Sequence, residues 1–551
     1  MIASILKWIK SNPIEALLLG LILLIATFLR LARISEYMTF LGDEGRDAII
    51  VRRFLVNLDP ILIGPGTSIG NMYLGPLYYY FMAPFLLLAN FSPVGPALAI
   101  AFLGIITVFF VWCVVREWFP SPTLKGVTFK GQSLQGINIG ALIAAGFYAV
   151  SSVVVNFSRS SWNPNIMPFF SLLSIYSIWR VWKNREYKWL AVLGVSFAFV
   201  LQSHYLGLLL VPVLGLFWIL TLVSVCRHPL AVNRTRNTKV GTQKSNFFKF
   251  SLFGVLIFVF LMSPLLIFDM RHGWMNFNAM KVFFTERQTT VSARPWTSLS
   301  KIPEVVGQIS TSLLAGNNKV VGNYSALILG FGTLVTVLYN TVTTKKKKGL
   351  FGAGGYFILL VWITSAIVGL GLYKQHIYDH YYGFFFAAPF LLIGFLVQRG
   401  LVWVDGKNKV LKLTTYFLLF AAFTYLVFIN LKDSWIYREP SNQLARSVVV
   451  AQKMIEESKN EKFNMAVVAE RNYEGAYQYF LEKDGANFVM IDPQKEKETV
   501  ANQLFVVCEL PRDKCDPVTN PKAGIANFGW SKIDQEWEVS GVTLYKLGHN
   551  I

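Results

Sequence analysis

Acidic residues are scarce in this 551-residue chain: 31 Asp and Glu stand against 51 Lys and Arg, and charged residues of all kinds make up 15%. So low a charged fraction, beside 54% hydrophobic residues and a mean hydropathy of +0.46, excludes an ordinary soluble domain of this length. Cysteine and histidine are rare, four and six in all, and no Cys/His spacing offers four zinc ligands. No G-x-x-x-x-G-K-[ST] loop and no strand-linked G-x-G-x-x-G occurs, which removes the usual nucleotide cradles. A basic groove with interleaved aromatics is also missing, so the net charge of +20 is not the footprint of a nucleic-acid partner. The charge is gathered in loops between apolar segments, where it seeks anionic membrane lipid.

Long apolar runs are what the chain has in abundance. The first, IEALLLGLILLIATFLRLARI (14–34), meets the roughly 20 residues a helix needs to span hydrocarbon. It exceeds a signal-peptide core and no small-residue cleavage site follows, so it reads as an uncleaved anchor. Further segments at about 72–91, 94–115, 137–155, 165–182, 189–203, 206–226, 250–270, 324–342, 350–373, 381–398 and 410–430 predict roughly 11–13 transmembrane helices. Loops 227–249, 344–350 and 398–409 are strongly basic and belong inside. Alternation then puts 271–323, the loop near 374–381 and everything after 430 outside, in a cytoplasmic (plasma) membrane. One conflict remains: with 36–71 outside, alternation also puts 116–136 outside, against Arg116, Lys125 and Lys130. One segment before residue 206 is therefore expected not to cross fully, or to be half of a broken helix.

From about 431 to 551 the composition turns soluble. A helical pattern at 441–459, strand-like runs NMAVVAE, NFVMI and NQLFVVCEL, and a helix-like NYEGAYQYFLEKDG between them predict a small α/β unit on the outer side. Cys508 and Cys515 within it suit either a disulfide on an oxidising face or two free thiols. Cys113 and Cys226, in apolar segments, read as packing residues. The fold class is thus an α-helical polytopic membrane protein, residues 1–430 with outer loops 35–72 and 271–323, carrying an extracytoplasmic α/β domain at 431–551.

Charge is concentrated in FLGDEGRDAIIVRRFL (40–55), just after the first span. Ala48, Val51, Phe54 and Leu55 repeat at helical spacing, as in a short interfacial helix. Asp43 near its start suits a helix cap. A second acid beside it, Glu44, is harder to explain that way, because adjacent carboxylates at a low-dielectric boundary resist ionising together and one is tuned toward general-base work. GPGTSIGNMYLGPLYYY (64–80) is turn-forming and aromatic, equally suited to a pocket wall and to a re-entry turn with interfacial Tyr.

GDEGRD after an N-terminal span, followed by NMYLGPLYYY, SRSSWNPN (158–165), LQSHYLG (201–207), FDMRHGWMNF (268–277) and HIYDHYYGF (376–384), resembles the membrane-embedded GT-C glycosyltransferases. It is most similar to the prokaryotic branch of glycosyltransferase family 39, with its protein O-mannosyltransferase and lipid A aminoarabinose transferase relatives. The resemblance implies sugar transfer on the outer face from a polyprenyl-phosphate donor to a hydroxyl-bearing protein, lipid or glycan acceptor. It implies Asp43 as the base and Glu44 as its tuner or a sugar ligand. Arg159, Arg271, His272, Lys374, His376 and His380 are the candidates for the leaving phosphate; Arg46, Tyr73, His204 and Tyr381 are pocket-lining candidates.

Each of these has a plainer reading. Lys and Arg at helix ends often only snorkel to the headgroups, and His204 serves equally as a structural hydrogen-bonding group between helices. No cofactor is required. A divalent cation, at His376 and His380 with Asp379 or at the Asp43 and Glu44 carboxylates, is compatible with a phosphate leaving group, although Ile377 stands where a HExxH motif needs Glu. A transporter and a polyprenyl-linked glycan ligase or polymerase are the competing classes. The chain lacks the paired halves of many transporters, and it places its acids early instead of an Arg- and His-rich outer loop late.

Overall fold

The structure, a computed structural model, describes all residues except 1, 68–71, 121–127, 130–131, 134–136, 227–233, 286–295, 344–353, 406, 471–472 and 551. Helix α1 (Pro13–Leu31) opens with proline at its first position, where the missing N–H costs nothing. It is followed by α2 (Gly42–Asn57), α3 (Leu77–Leu88) and α4 (Val94–Trp118). Near the end of α4, Arg116 pairs with Glu15 at 3.2 Å and Trp112 donates to the same carboxylate at 3.0 Å, so α4 ends where α1 begins.

That contact resolves the conflict over loop 116–136. Near the start of α3 the Tyr79 hydroxyl donates to Asp47 of α2 at 2.9 Å; just past its end Phe91 accepts from Tyr479 of the C-terminal unit at 2.5 Å. Both ends of α3 therefore lie on the α2 side, and α3 is the segment that does not cross. Helix α4 carries the chain back, and Arg116 falls on the side of the N-terminus. Lys125 and Lys130 lie outside the described residues, as do the basic stretches 227–233 and 344–350.

The remaining helices shuttle between the two sides. They are α5 (Ile139–Val150), α6 (Met167–Trp179), α7 (Trp189–Ser203), α8 (Val211–Cys226) and α9 (Arg234–Arg271), then α10 (Met275–Thr285) and α11 (Thr297–Leu314), and finally α12 (Lys319–Thr343), α13 (Gly354–Gly371), α14 (Ala387–Asp405) and α15 (Lys409–Lys432). Eight helices, six of these among them with α1 and α4, are long and apolar enough to cross a membrane. The shorter α5, α6 and α7 also run from side to side. Asn138 before α5 donates to Phe119 at 2.8 Å, while Ser151 after it donates to Leu313 at 2.7 Å; α6 leads to Arg180, which bridges Glu117 at 3.0 Å. Among the described residues that makes eleven passes. Their outward faces are greasy, with Phe260 and Phe331 73% and 69% exposed, as lipid contact demands.

The C-terminal unit consists of α16 (Gln443–Ser458), β1 (Asn464–Val468), α17 (Glu474–Lys483), β2 (Gln503–Cys508), β3 (Ser531–Val539) and β4 (Val542–His549), in sheet order β1-β2-β4-β3. Strands β1 and β2 are parallel, with Met465 opposite Phe505, and both are fully buried, which is why they read as continuous apolar runs. The expected strand NFVMI makes only an isolated bridge between Phe463 and Phe488. The Asn464 side chain takes the Val489 carbonyl at 2.7 Å, in place of a backbone ladder. The hairpin of β3 and β4 was not anticipated: β3 is mostly exposed, and Ile533, Trp537 and Val539 are its only apolar residues. Cys508 and Cys515 are joined in a disulfide; Cys113 is half-buried, while Cys226, expected to pack, is exposed at the last residue of α8.

This unit sits directly on α2. A Cβ on Gly475 would lie 2.3 Å from the Gly42 carbonyl oxygen, and one on Gly45 would lie 2.1 Å from the Gly475 carbonyl carbon. Two backbones touch there because neither residue has a side chain. Glu482 pairs with Arg53 at 2.7 Å and Arg52 at 3.4 Å, and Phe40 packs on Tyr479 and Phe480.

Candidate active site

The start of α2 opens into a cavity of about 620 Å³ lined by Asp43, Glu44, Arg159, Trp162, Asn165 and Gln443, with Tyr37, Phe157, Trp435, Arg438 and Glu439 among its other walls. The two acids differ sharply in setting. Asp43 has a side chain 48% exposed and pairs with Arg46 at 2.9 Å. Glu44 is buried, and its Oε2 accepts from the Leu41 backbone N–H at 3.0 Å. The helix cap expected of Asp43 is thus supplied by Glu44, three residues on from Leu41 in capping-box fashion, and Asp43 is left facing the cavity. Burial pushes the Glu44 carboxyl up to about 7, with Asp43 and Asp47 adding to the rise.

Asp47 was named in the charged stretch but not as a site residue. It is fully buried, accepts from Arg46 Nη2 at 2.7 Å and from the Tyr79 hydroxyl at 2.9 Å, and its Oδ2 has no partner among the described residues. Burial raises it to about 6 against the pull of Arg46. Its place four residues after Asp43, on the same helix face, was the signal available for it. Arg46 consequently spans two carboxylates, one fixed in the protein and one at the cavity.

Arg159 lines the cavity with a guanidinium that is already committed. Nη1 donates to Leu29 at 2.6 Å, Nη2 donates to Ala32 at 2.8 Å, and the group lies 4.4 Å from the Trp435 ring centre. It closes the end of α1, where backbone carbonyls lack helical partners.

The histidines gather behind Trp162. His380 lies 4.6 Å from the Trp162 ring and 5.8 Å from His204; His204 is 4.9 Å from Tyr381. Burial holds His380 down at about 4 and, with His380 as neighbour, His204 at about 3. Both are neutral imidazoles among aromatic rings, and His204 Nδ1 accepts from Leu206 N–H at 3.2 Å. His376 and His380 do not share a helix face, because only His380 lies in the 3-10 turn Asp379–Phe385; His376 precedes it and packs on Tyr378. No group of three metal-ligating His, Cys, Asp or Glu residues occurs among the described residues.

Arg271 and His272 stand elsewhere on the same side, exposed at the end of α9, with His272 stacked on Phe268. Tyr73 joins them: its N–H donates to Asn276 at 2.6 Å and its ring packs on Phe268. Lys374 is exposed in the link after α13. The structure therefore brings Asp43, Glu44 and Arg159 to one cavity, leaves Arg46 off its lining and paired to Asp43, sets His204, His380 and Tyr381 behind its Trp162 wall, and leaves Tyr73, Arg271 and His272 as a separate group. Trp162, Trp435 and Gln443 were missed, since nothing local in the sequence ties positions 435 and 443 to residue 43.

Residues 133–232 match the family model described as dolichyl-phosphate-mannose-protein mannosyltransferase. No curated protein sequence matches the chain significantly. Among solved structures, ArnT from Cupriavidus metallidurans in the apo state superposes with a TM-score of 0.55 at 12% identity, covering 98% of each chain. The same protein bound to undecaprenyl phosphate gives 0.54 at 11% identity, covering 96% of this chain and 97% of that one. The chain is therefore a multi-pass membrane protein built on the GT-C fold that it shares with ArnT.

Proposed function

We propose that this protein is a membrane glycosyltransferase that moves a sugar from a polyprenyl-phosphate donor to a hydroxyl-bearing acceptor on the extracytoplasmic face, with residues 1–430 as the catalytic module and 431–551 as an outer domain. The observation that carries the reading is the half-exposed Asp43 beside buried Glu44, at the mouth of an aromatic and polar cavity, in a GT-C fold. The matched family model and an ArnT structure that holds undecaprenyl phosphate support a lipid-linked sugar donor. Tyr37, Trp162 and Trp435, beside Asn165 and Gln443, offer the mixture of flat apolar faces and hydrogen-bonding groups that a sugar ring needs. For sidedness, the basic residues Arg116, Arg180, Lys183 and Arg399 lie at helix ends opposite the cavity, which supports placing the cavity outside.

In this reading Asp43 takes the proton from the acceptor hydroxyl as its oxygen bonds to the anomeric carbon. The bond from that carbon to the phosphate oxygen breaks, and the electron pair leaves with the polyprenyl phosphate. Arg46 orients Asp43. Arg271 and His272, near Tyr73, are the candidates for the leaving phosphate, with Lys374 and His376 further along the same side; the neutral His380 can offer it only a hydrogen bond, and Arg159 shapes the wall. Purified protein offered a panel of polyprenyl-phosphate sugars is expected to consume one of them, and Asp43→Asn is expected to lose about 10²–10⁴-fold in turnover. Near-normal turnover in that variant removes the base assignment; no donor consumed by the wild type removes the reaction.

A further inference from the structure

A second, larger cavity of about 1030 Å³ opens on the same side of the molecule, between α11, α12 and the 376–382 link. Its wall changes character along α12. Lys319 and Asn323 line it at the helix start, and Ala326, Leu327 and Gly330 line it further down. From 319 to 330 the helix descends about 16 Å. Leu327 is 68% exposed and its neighbours Tyr324 and Ile328 are 64% and 70% exposed, so the cavity opens sideways, toward hydrocarbon. A Cβ on Gly330 would meet nothing within 4 Å, which leaves the lower groove clear.

The upper wall has a particular chemistry. Gln308, Thr311 and Ser312 of α11 face Asn323, offering neutral donors and acceptors together. Glu304 and Asp379 also line the space against the single Lys319 and His376, so a phosphate head would meet two carboxylates. Of the neutral groups only Asn323 stands on a spanning helix, and a polar side chain there is costly and marks a path for something polar. Tyr378, on this cavity, stacks on His380 with ring centres 5.8 Å apart, and His380 lies 4.6 Å from Trp162 on the first cavity. One aromatic layer separates the two spaces.

We propose that the second cavity is a lateral binding site for a membrane amphiphile with an uncharged, hydroxylated head, the head held between Gln308 and Asn323 and the chain laid along α12 past Gly330. Its service as the entry of a lipid-anchored acceptor rests on the transfer reaction proposed above; its occupancy does not.

The test is photolabelling of the full chain in nanodiscs with a decyl glucoside carrying a diazirine in its chain, and with a decyl phosphate of the same design. The glucoside is expected to label residues 319–330 above the other lipid-facing spans. The double variant Asn323→Leu, Gly330→Leu is expected to lower that labelling about tenfold, a loss of roughly 1.4 kcal/mol in binding. Even labelling over α1, α9 and α15, equal labelling of wild type and variant, or phosphate labelling above the glucoside each overturns the proposal. Because labelling needs no turnover, a site that labels in a protein that consumes no donor refutes the reaction and keeps the site.

Discussion

Asp43 and Glu44 are sequence neighbours that the fold sends into different environments, and their chemistry divides accordingly. Glu44 ionises at about 7 in the fold against an ordinary 4.5. Burial of its neutral form supports the fold fully below about 4.5, and that support is lost as pH rises through 7. Thermal stability in detergent is therefore expected to fall between about pH 4.5 and 7, with Asp47 acting in the same direction up to about 6. Glu44→Gln should flatten much of that slope, since an amide oxygen still accepts from Leu41; an unchanged slope would show that another group titrates. In the proposed reaction, ionisation of Glu44 changes the charge beside the reacting groups, so turnover in the wild type is expected to inflect near pH 7, and that inflection should disappear in Glu44→Gln. Arg159 gives a separate residue-scale expectation. Lysine keeps the charge but not the two-pronged grip on Leu29 and Ala32, so Arg159→Lys should cost roughly 1–3 kcal/mol, read as a lower melting temperature.

The decisive element is α2, held from two sides. Tyr79 of α3 fixes its buried Asp47 below, while α17 lies against Gly42 and Gly45 above. The Gly475→Ala methyl would sit 2.3 Å from the Gly42 carbonyl oxygen, so the helices must separate, and Asp43 moves with Gly42. A displacement on the order of 1 Å at a reacting group costs about 10²-fold. Gly475→Ala should accordingly lower kcat far more than it alters donor KM, with a lower melting temperature because the clash is with backbone. A lower melting temperature with kcat unchanged would mark the contact as structural only. The adjacent Arg53–Glu482 pair is a weaker handle, because Arg53 is 62% exposed and such pairs are worth about 1 kcal/mol or less.

At the scale of the molecule, α3 decides the topology. Because it returns to the side it left, eleven passes place the N-terminus and the C-terminal unit on opposite sides. Cysteine introduced at Lys407, exposed between α14 and α15, should react with an impermeant maleimide only after cells are opened, whereas one at Gln478 should react in intact cells. Reaction of both in intact cells would invert or break this arrangement. The C-terminal unit also contributes to the site: Gln443, at the start of α16, and Glu439 before it line the cavity that α2 begins.

What the sequence determined by itself was everything set by local pattern. Apolar runs of membrane length marked the spans, and the parallel strands of the C-terminal unit were legible because burial on both faces makes them continuously apolar. The pair Asp43 and Glu44 stood out because two acids beside a membrane are costly without a purpose. Tertiary structure alone decided which of the two caps the helix, that Arg159 is spent on backbone carbonyls, and that Trp435 and Gln443 meet residue 43. It also decided that α3 turns back, since twelve apolar residues ending at Leu88 read the same whether they cross or lie along one side. The cap is a local choice between neighbours, made by which carboxylate the fold buries; the other three depend on contacts between residues far apart in the chain, and such contacts leave no periodicity in the sequence for composition or spacing to reveal.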